Sequence, residues 1–168
     1  MVAAQTLTKD PIVPLTRRSL TLIATLGSAA LLAGAFAFQY IGGMAPCQLR
    51  LWQRWPHAAA VLNGVAALAL GWRVLALLGA GAALATAGIG AFHVGVEQKW
   101  WEGLASCTAG SIQGISTADL LNPNVVIAAP VRCDEIPWEI LGVSMAGWNM
   151  ILSLALVVIW ILAARARD

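Results

Sequence analysis

Cys47, Cys107 and Cys133 carry the most specific chemistry in this 168-residue chain. A thiolate is a nucleophile and a disulfide is what it attacks, so cysteines that meet can hand an oxidising equivalent from one pair to the next. Cys107 and Cys133 lie close enough in sequence to meet, either as a structural staple or as an exchangeable pair. Cys47 is then the odd thiol, reactive or joined to another chain. His57 and His93 are the other residues of interest. Placed at the same ends of neighbouring helices they could ligate a haem; as single interfacial side chains they need no cofactor at all. No cluster stands at metal-ligand spacing, so no metal is expected. Glu97 and Glu102 read as a solvated rim, and Asn63 as a hydrogen-bond former between helices.

The elements that must position these residues are membrane helices. Apolar residues make up 60% of the chain and charged residues 11%, with a mean hydropathy of +0.78. Such a composition belongs to a membrane protein, and its partner is the lipid bilayer. The net charge of +2, spread along the chain, gives no nucleic-acid footprint. Four stretches approach the roughly 20 apolar residues that a span requires, at about 20–40, 55–70, 74–96 and 140–162. The second is the shortest, and without it Arg73 would face the wrong side. The fold class expected is therefore an all-α four-helix membrane bundle forming one domain over 1–168, with outward loops at about 41–54 and 97–139. Gly27, Ser28, Ala29, Gly64, Gly79 and Gly81 are small enough to let helix backbones approach.

Lys9, Arg17, Arg18, Arg73, Arg165 and Arg167 all fall on one side of this arrangement, which the positive-inside rule makes cytoplasmic, with both termini. The other side carries Arg50, Arg54, Lys99 and Arg132 against six acidic residues and holds all three cysteines. In a bacterium that side is the periplasm, where disulfides persist. Trp52, Trp55, Trp72, Trp100, Trp101, Trp138 and Trp160 lie near span ends, as an interfacial belt would. The run Thr16-Arg17-Arg18-Ser19-Leu20 is similar to a twin-arginine export signal, but the apolar stretch behind it is too long and no soluble domain follows. It reads as an anchor. The apolar segment from Ala118 to Val131, broken by Asn122, Pro123 and Pro130, suits a membrane surface or a docking strip.

The first-loop run Pro46-Cys47-Gln48-Leu49-Arg50-Leu51-Trp52-Gln53-Arg54 resembles the Pro-Cys-x-x-Cys-x-x-x-Arg signature of the DsbB family, the bacterial disulfide bond formation proteins. Trp100-Trp101-Glu102-Gly103, Cys107-Thr108 and Cys133-Asp134-Glu135-Ile136-Pro137-Trp138 are similar to the ends of that family's second loop. The resemblance implies an inner-membrane thiol:quinone oxidoreductase that reoxidises the periplasmic dithiol oxidase DsbA and passes electrons to ubiquinone or menaquinone. It implies that Cys107 receives DsbA, that Cys133 then attacks Cys47, and that Arg54 lies at the quinone; His93 then reads as a neighbour of the quinone site or as a plain interfacial residue. Where the family has its second first-loop cysteine, this chain has Arg50. The expected result is one exchange and then a stop, with Cys47 and Cys133 left bonded to each other. The alternative is a redox-inactive relative that binds quinone or a partner. A Trp…Cys stretch also resembles that of claudin-like adhesion proteins, but those carry it in the first outward loop.

Overall fold

The computed structural model describes residues 16–104 and 131–166. Cys107, Lys9, Arg167 and nearly all of the apolar segment ending at Val131 lie outside the described residues. Four long helices dominate: α1 (Arg17–Tyr40), α2 (Gln48–Leu70), α3 (Arg73–Glu97) and α4 (Met145–Arg165). A two-stranded antiparallel hairpin, β1 (Glu139–Ile140) and β2 (Val143–Ser144), leads into α4. Each helix runs for 21 to 25 residues, which at 1.5 Å per residue is roughly 30–40 Å, the thickness of a hydrocarbon core with some tilt. In lipid the backbone has no water to bond, so apolar runs of this length close their hydrogen bonds within the helix.

α1, α3 and α4 are each long and apolar enough to cross a membrane. α2 differs because its first turns carry Arg50, Gln53, Arg54 and His57. It begins at Gln48 rather than near residue 55, so much of the stretch expected as loop is helical, and both arginines project from a rigid element. α4 in turn begins at Met145 rather than near 140. The residues before it form the hairpin, whose turn places Leu141 (φ 55°) and Gly142 (φ 73°) in left-handed conformations, the type I′ pattern that suits a two-residue connection. Gly71 (φ 69°) ends α2 and lets the chain reverse at once into α3.

The helices form a ring in which α1 packs on α2, α2 on α3, α3 on α4 and α4 on α1. Small residues set these approaches. Gly27 faces Leu156, Gly64 lies directly on Thr25, and Gly79 lies against the Trp160 indole; Gly81, by contrast, has open space where a side chain would go. Trp160 is fully buried among Leu20, Ala24, Ala76, Ala80, Ala83 and Leu156. It is a core residue, not part of an interfacial belt, because the missing side chain at Gly79 leaves a slot for its ring. Thr21 and Thr25 can be buried because each donates to the carbonyl one turn back, Arg17 and Thr21 respectively. Asn63 does the same, donating to Ala59 O at 2.9 Å, so it bonds within its own helix rather than to a neighbour. The start of α1 and the α2–α3 turn share one end of the bundle, where Arg17, Arg18 and Trp72 line a small cleft. Cys47 and Cys133 lie at the other end.

Filling the Gly64 contact should therefore loosen the α1–α2 seam. Gly64→Leu is expected to cost about 1–3 kcal/mol through overpacking, while Gly81→Leu leaves stability unchanged. Thermal unfolding of both variants in one detergent checks this, and equal shifts would show that the seam is not tightly packed.

Candidate functional site: a thiol cluster beside an apolar cavity

Cys47 is the residue that caps the start of α2, and its side chain takes no part in the capping bonds. It is buried with Leu49, Val96 and Cys133, against Ile89 and Leu104. Cys47 is a free thiol, whereas Cys133 is disulfide-bonded. His93, near the end of α3, stands between them. Its Nε2 is 3.7 Å from Cys47 Sγ and 3.2 Å from the Cys133 carbonyl, while Nδ1 is 3.0 Å from the Gln53 amide nitrogen. The carbonyl can only accept, so Nε2 carries the proton and Nδ1 accepts from Gln53. The donor atoms of Cys47, His93 and Cys133 all lie within 4.8 Å of one another. Residues far apart in sequence thus form a cluster that sequence spacing could not show.

Glu97 follows one helical turn after His93, on the same face. It is buried, not part of a solvated rim. Ser144 Oγ donates to its Oε2 and accepts the Gly147 N–H at 3.1 Å, so one hydroxyl both caps α4 and ties it to α3. The other oxygen, Oε1, stands 3.9 Å from an Arg50 nitrogen and 3.8 Å from His93 Nε2, and makes no hydrogen bond. Glu102 is exposed. On the exposed segment around Cys133, Arg132 grips Asp134 through two hydrogen bonds of 2.9 and 2.6 Å. Those bonds hold the Asp134 carboxyl below its ordinary range. Whatever the clasp contributes is therefore present near neutral pH and is lost as pH falls through the lowered value.

Next to the cluster, at the same end of the bundle, is a cavity of about 290 Å³. Leu31, Phe38, Trp138, Ile140 and Trp148 supply apolar walls; Gln39, Arg50, Gln53, Arg54, His57 and Asn149 supply polar groups. Arg54 is fixed from α1, donating to Gln39 Oε1 at 2.5 Å and to the Ala35 carbonyl at 3.1 Å, with the Phe36 ring 4.8 Å from its guanidinium carbon. Asn149 Nδ2 faces Thr86, with its Oγ1 at 3.2 Å, which leaves Asn149 Oδ1 to accept from His57 Nε2 at 2.9 Å. His57 Nδ1 is then a lone pair. That atom, Arg54 Nε and Arg50 Nε are all buried without a hydrogen-bond partner.

The fold thus brings Cys47, Cys133 and His93 together and puts Arg54 on the cavity wall. His93 itself stands behind that wall, reaching it through Gln53; Cys107 lies outside the described residues. Sequence reasoning did not select Gln53 or Asn149, and weighed His57 only as a haem ligand or an interfacial side chain. Their signal was weak: Gln53 and His57 sit among other polar residues in the first turns of α2, and Asn149 is an amide on the apolar α4.

The model of the family "Disulfide bond formation protein DsbB" matches residues 17–163. Curated proteins named disulfide bond formation protein B are similar along most of their length. The Methylococcus capsulatus protein is 34% identical over 147 residues, covering 83% of this chain and 88% of its own. The Verminephrobacter eiseniae protein is 35% identical over 159 residues, covering 90% and 86%, and that of a Polaromonas species is 30% identical over 159 residues, covering 90% and 94%. No solved structure matches.

Burial of Cys47 has a direct consequence for its reactivity. In the folded, unreduced chain, maleimide should label Cys47 slower by about tenfold or more than in the SDS-unfolded chain, because attack needs a local opening. Equal rates would mean that the thiol is open to solvent. A helical membrane bundle with a buried thiol cluster at one end, matched over nearly its whole length, belongs to the DsbB family of disulfide bond formation proteins.

Proposed function

We propose that this chain is an inner-membrane thiol:quinone oxidoreductase whose internal relay is interrupted at position 50. In this reading α2 is the fourth span. It packs between α1 and α3 along the bundle, and its charged residues gather at one end. The end bearing Arg17, Arg18 and Arg73 is cytoplasmic and the cysteine end periplasmic. The observation that carries the proposal is the placement of a free Cys47 thiol against disulfide-bonded Cys133, beside a cavity walled by Arg54.

The cavity suits a quinone. Its walls are apolar and aromatic, and the buried polar atoms without partners on its lining residues are two donors, Arg50 Nε and Arg54 Nε, and one acceptor, His57 Nδ1. The arginine fits a carbonyl oxygen of the quinone, and the imidazole lone pair fits a hydroxyl of the reduced quinol. A ubiquinone or menaquinone bound there supplies a two-electron acceptor. Arg54, anchored by Gln39 and Ala35, orients it, while Trp138 against Phe38 excludes water.

Exchange begins with a reduced DsbA-like partner. Its thiolate attacks Cys107 Sγ, forming a mixed disulfide; the bond from Cys107 to Cys133 breaks and Cys133 leaves as a thiolate. The partner's second thiol then attacks the mixed disulfide and departs oxidised, leaving Cys107 and Cys133 as thiols. Two electrons have moved inward. In the family a first-loop disulfide accepts them next. Here Cys47 is a lone thiol and Arg50 is turned toward Glu97, so the transfer stops with Cys107 and Cys133 as thiols. A bond between Cys47 and Cys133 can arise only by exchange, the Cys47 thiolate attacking Cys133 of the intact disulfide while Cys107 leaves as a thiolate.

A redox-inactive quinone- or partner-binding protein is the second reading, favoured by the way Arg50 both lines the cavity and faces a buried carboxylate. Quinone reduction driven by reduced DsbA separates the two. The chain as it stands should give at most one exchange per molecule, while Arg50→Cys should turn over steadily. Equal steady rates would refute this electron route; absence of any mixed disulfide between this chain and a reduced DsbA whose second cysteine is replaced by serine would favour the binding protein.

A further inference from the structure

We propose that reduction of the Cys133 disulfide creates a site for a thiophilic divalent cation such as zinc, held by Cys47, Cys133 and His93 with Glu97 alongside. The three ligands come from separate parts of the fold: the start of α2, the last turns of α3 and the segment before β1. Their donor atoms already lie within 4.8 Å of one another and all three residues are buried. On a tetrahedral zinc, a sulfur at about 2.3 Å and a nitrogen at about 2.0–2.1 Å stand roughly 3.6 Å apart. Cys47 Sγ and His93 Nε2 are 3.7 Å apart here.

An independent observation points the same way. The Glu97 side chain is fully buried, yet its Oε1 makes no hydrogen bond and stands 3.8 Å from His93 Nε2. That oxygen is available as a fourth ligand or as a neighbouring counter-charge. Two thiolates and one carboxylate bring three negative charges; the cation and Arg50 bring three positive. A neutral sum is what a buried cluster of charges requires. Soft sulfur with imidazole selects zinc-like ions over magnesium or calcium.

Binding involves no electron transfer. A reductant of the dithiol or phosphine class first supplies two electrons to the Cys133 disulfide. The cation then replaces one proton on each of Cys47 and Cys133, and both protons go to solvent. His93 must present a lone pair at Nε2, so its proton moves to Nδ1 and the Gln53 amide turns over to accept it. Gln53 thereby becomes the outer partner that fixes the ring, the usual arrangement behind a metal-bound histidine. A bound ion would occupy both sulfurs and keep them from joining. The site needs neither quinone nor partner protein to form, although it takes two of its ligands from the relay.

The test uses the full-length chain in nanodiscs, reduced with a phosphine, desalted without oxygen and titrated with Co²⁺ as a spectroscopic probe. The expected result is one Co²⁺ per chain, with a thiolate-to-cobalt charge-transfer band and the strong visible bands of tetrahedral cobalt, all displaced by Zn²⁺. The unreduced chain should show none of these. Cys107→Ser, reduced in the same way, should bind like the parent, which excludes Cys107 as a ligand. Cys47→Ser should lose intensity in the charge-transfer band, and His93→Ala should weaken Zn²⁺ binding by about tenfold or more. Cys47→Ser changes little in shape, so it decides the matter even if His93→Ala does not fold. The proposal is overturned by absence of the band after reduction, by equal binding before reduction, by an unchanged band in Cys47→Ser, or by loss of binding in Cys107→Ser.

Discussion

Glu97 puts a carboxylate where almost no solvent reaches, and the cysteine end of the bundle is organised around satisfying it. An isolated charge in such a place costs several kcal/mol even after relaxation, so it must be neutralised or surrounded by partners. The partners come from three elements, α2, α3 and the hairpin before α4. Ser144 caps α4 and donates to one oxygen; Arg50 approaches the other from α2; His93 lies one turn back on α3 itself. Because each partner belongs to a different element, the carboxylate fixes how α2, α3 and the hairpin before α4 meet. It thereby fixes where Cys47 and Cys133 stand.

Gln53 connects this cluster to the cavity. Its side chain bonds His93, its carbonyl accepts from Thr86 at 3.1 Å, and Thr86 accepts from Asn149, which holds His57. A single residue of α2 thus touches both polar networks, one holding sulfur and the other lining the cavity. Inside an apolar bundle such chains must be closed, because an unmade bond is expensive. Among the described residues four buried side-chain nitrogens lack a partner: Arg50 Nε, Arg54 Nε and His57 Nδ1 belong to residues on the cavity wall, and Trp160 Nε1 lies in the core away from it.

The helices were legible because hydrophobic runs of membrane length leave the backbone little choice; Cys47 and Arg54 stood out through their motif context, and His93 only through its place near a span end. The limits of α2 and α4 were not. Arg50, Gln53 and Arg54 look like loop residues when read for hydropathy, yet they extend a helix whose polar face looks into a cavity. Glu97 reads as a rim carboxylate because a sequence cannot show that Ser144, far along the chain, will cover it. Trp160 reads as a belt residue because hydropathy does not register the slot opposite Gly79. In each case the deciding contact is a tertiary one, and no local pattern encodes it.

Arg50 is more than the absence of a cysteine. Its guanidinium stands 3.9 Å from Glu97 Oε1, with that carboxylate fully buried. Removing one member of a buried ion pair strands the other, at a cost of about 3–5 kcal/mol where the contact is close; this contact is long, so the lower part of that range applies. A cysteine at position 50 would leave Glu97 without its nearest cation. The carboxylate would then have to take up a proton, or lean on His93. Position 50 and position 97 are therefore coupled: the side chain that stands where the family signature has a cysteine is also the one that faces the buried carboxylate.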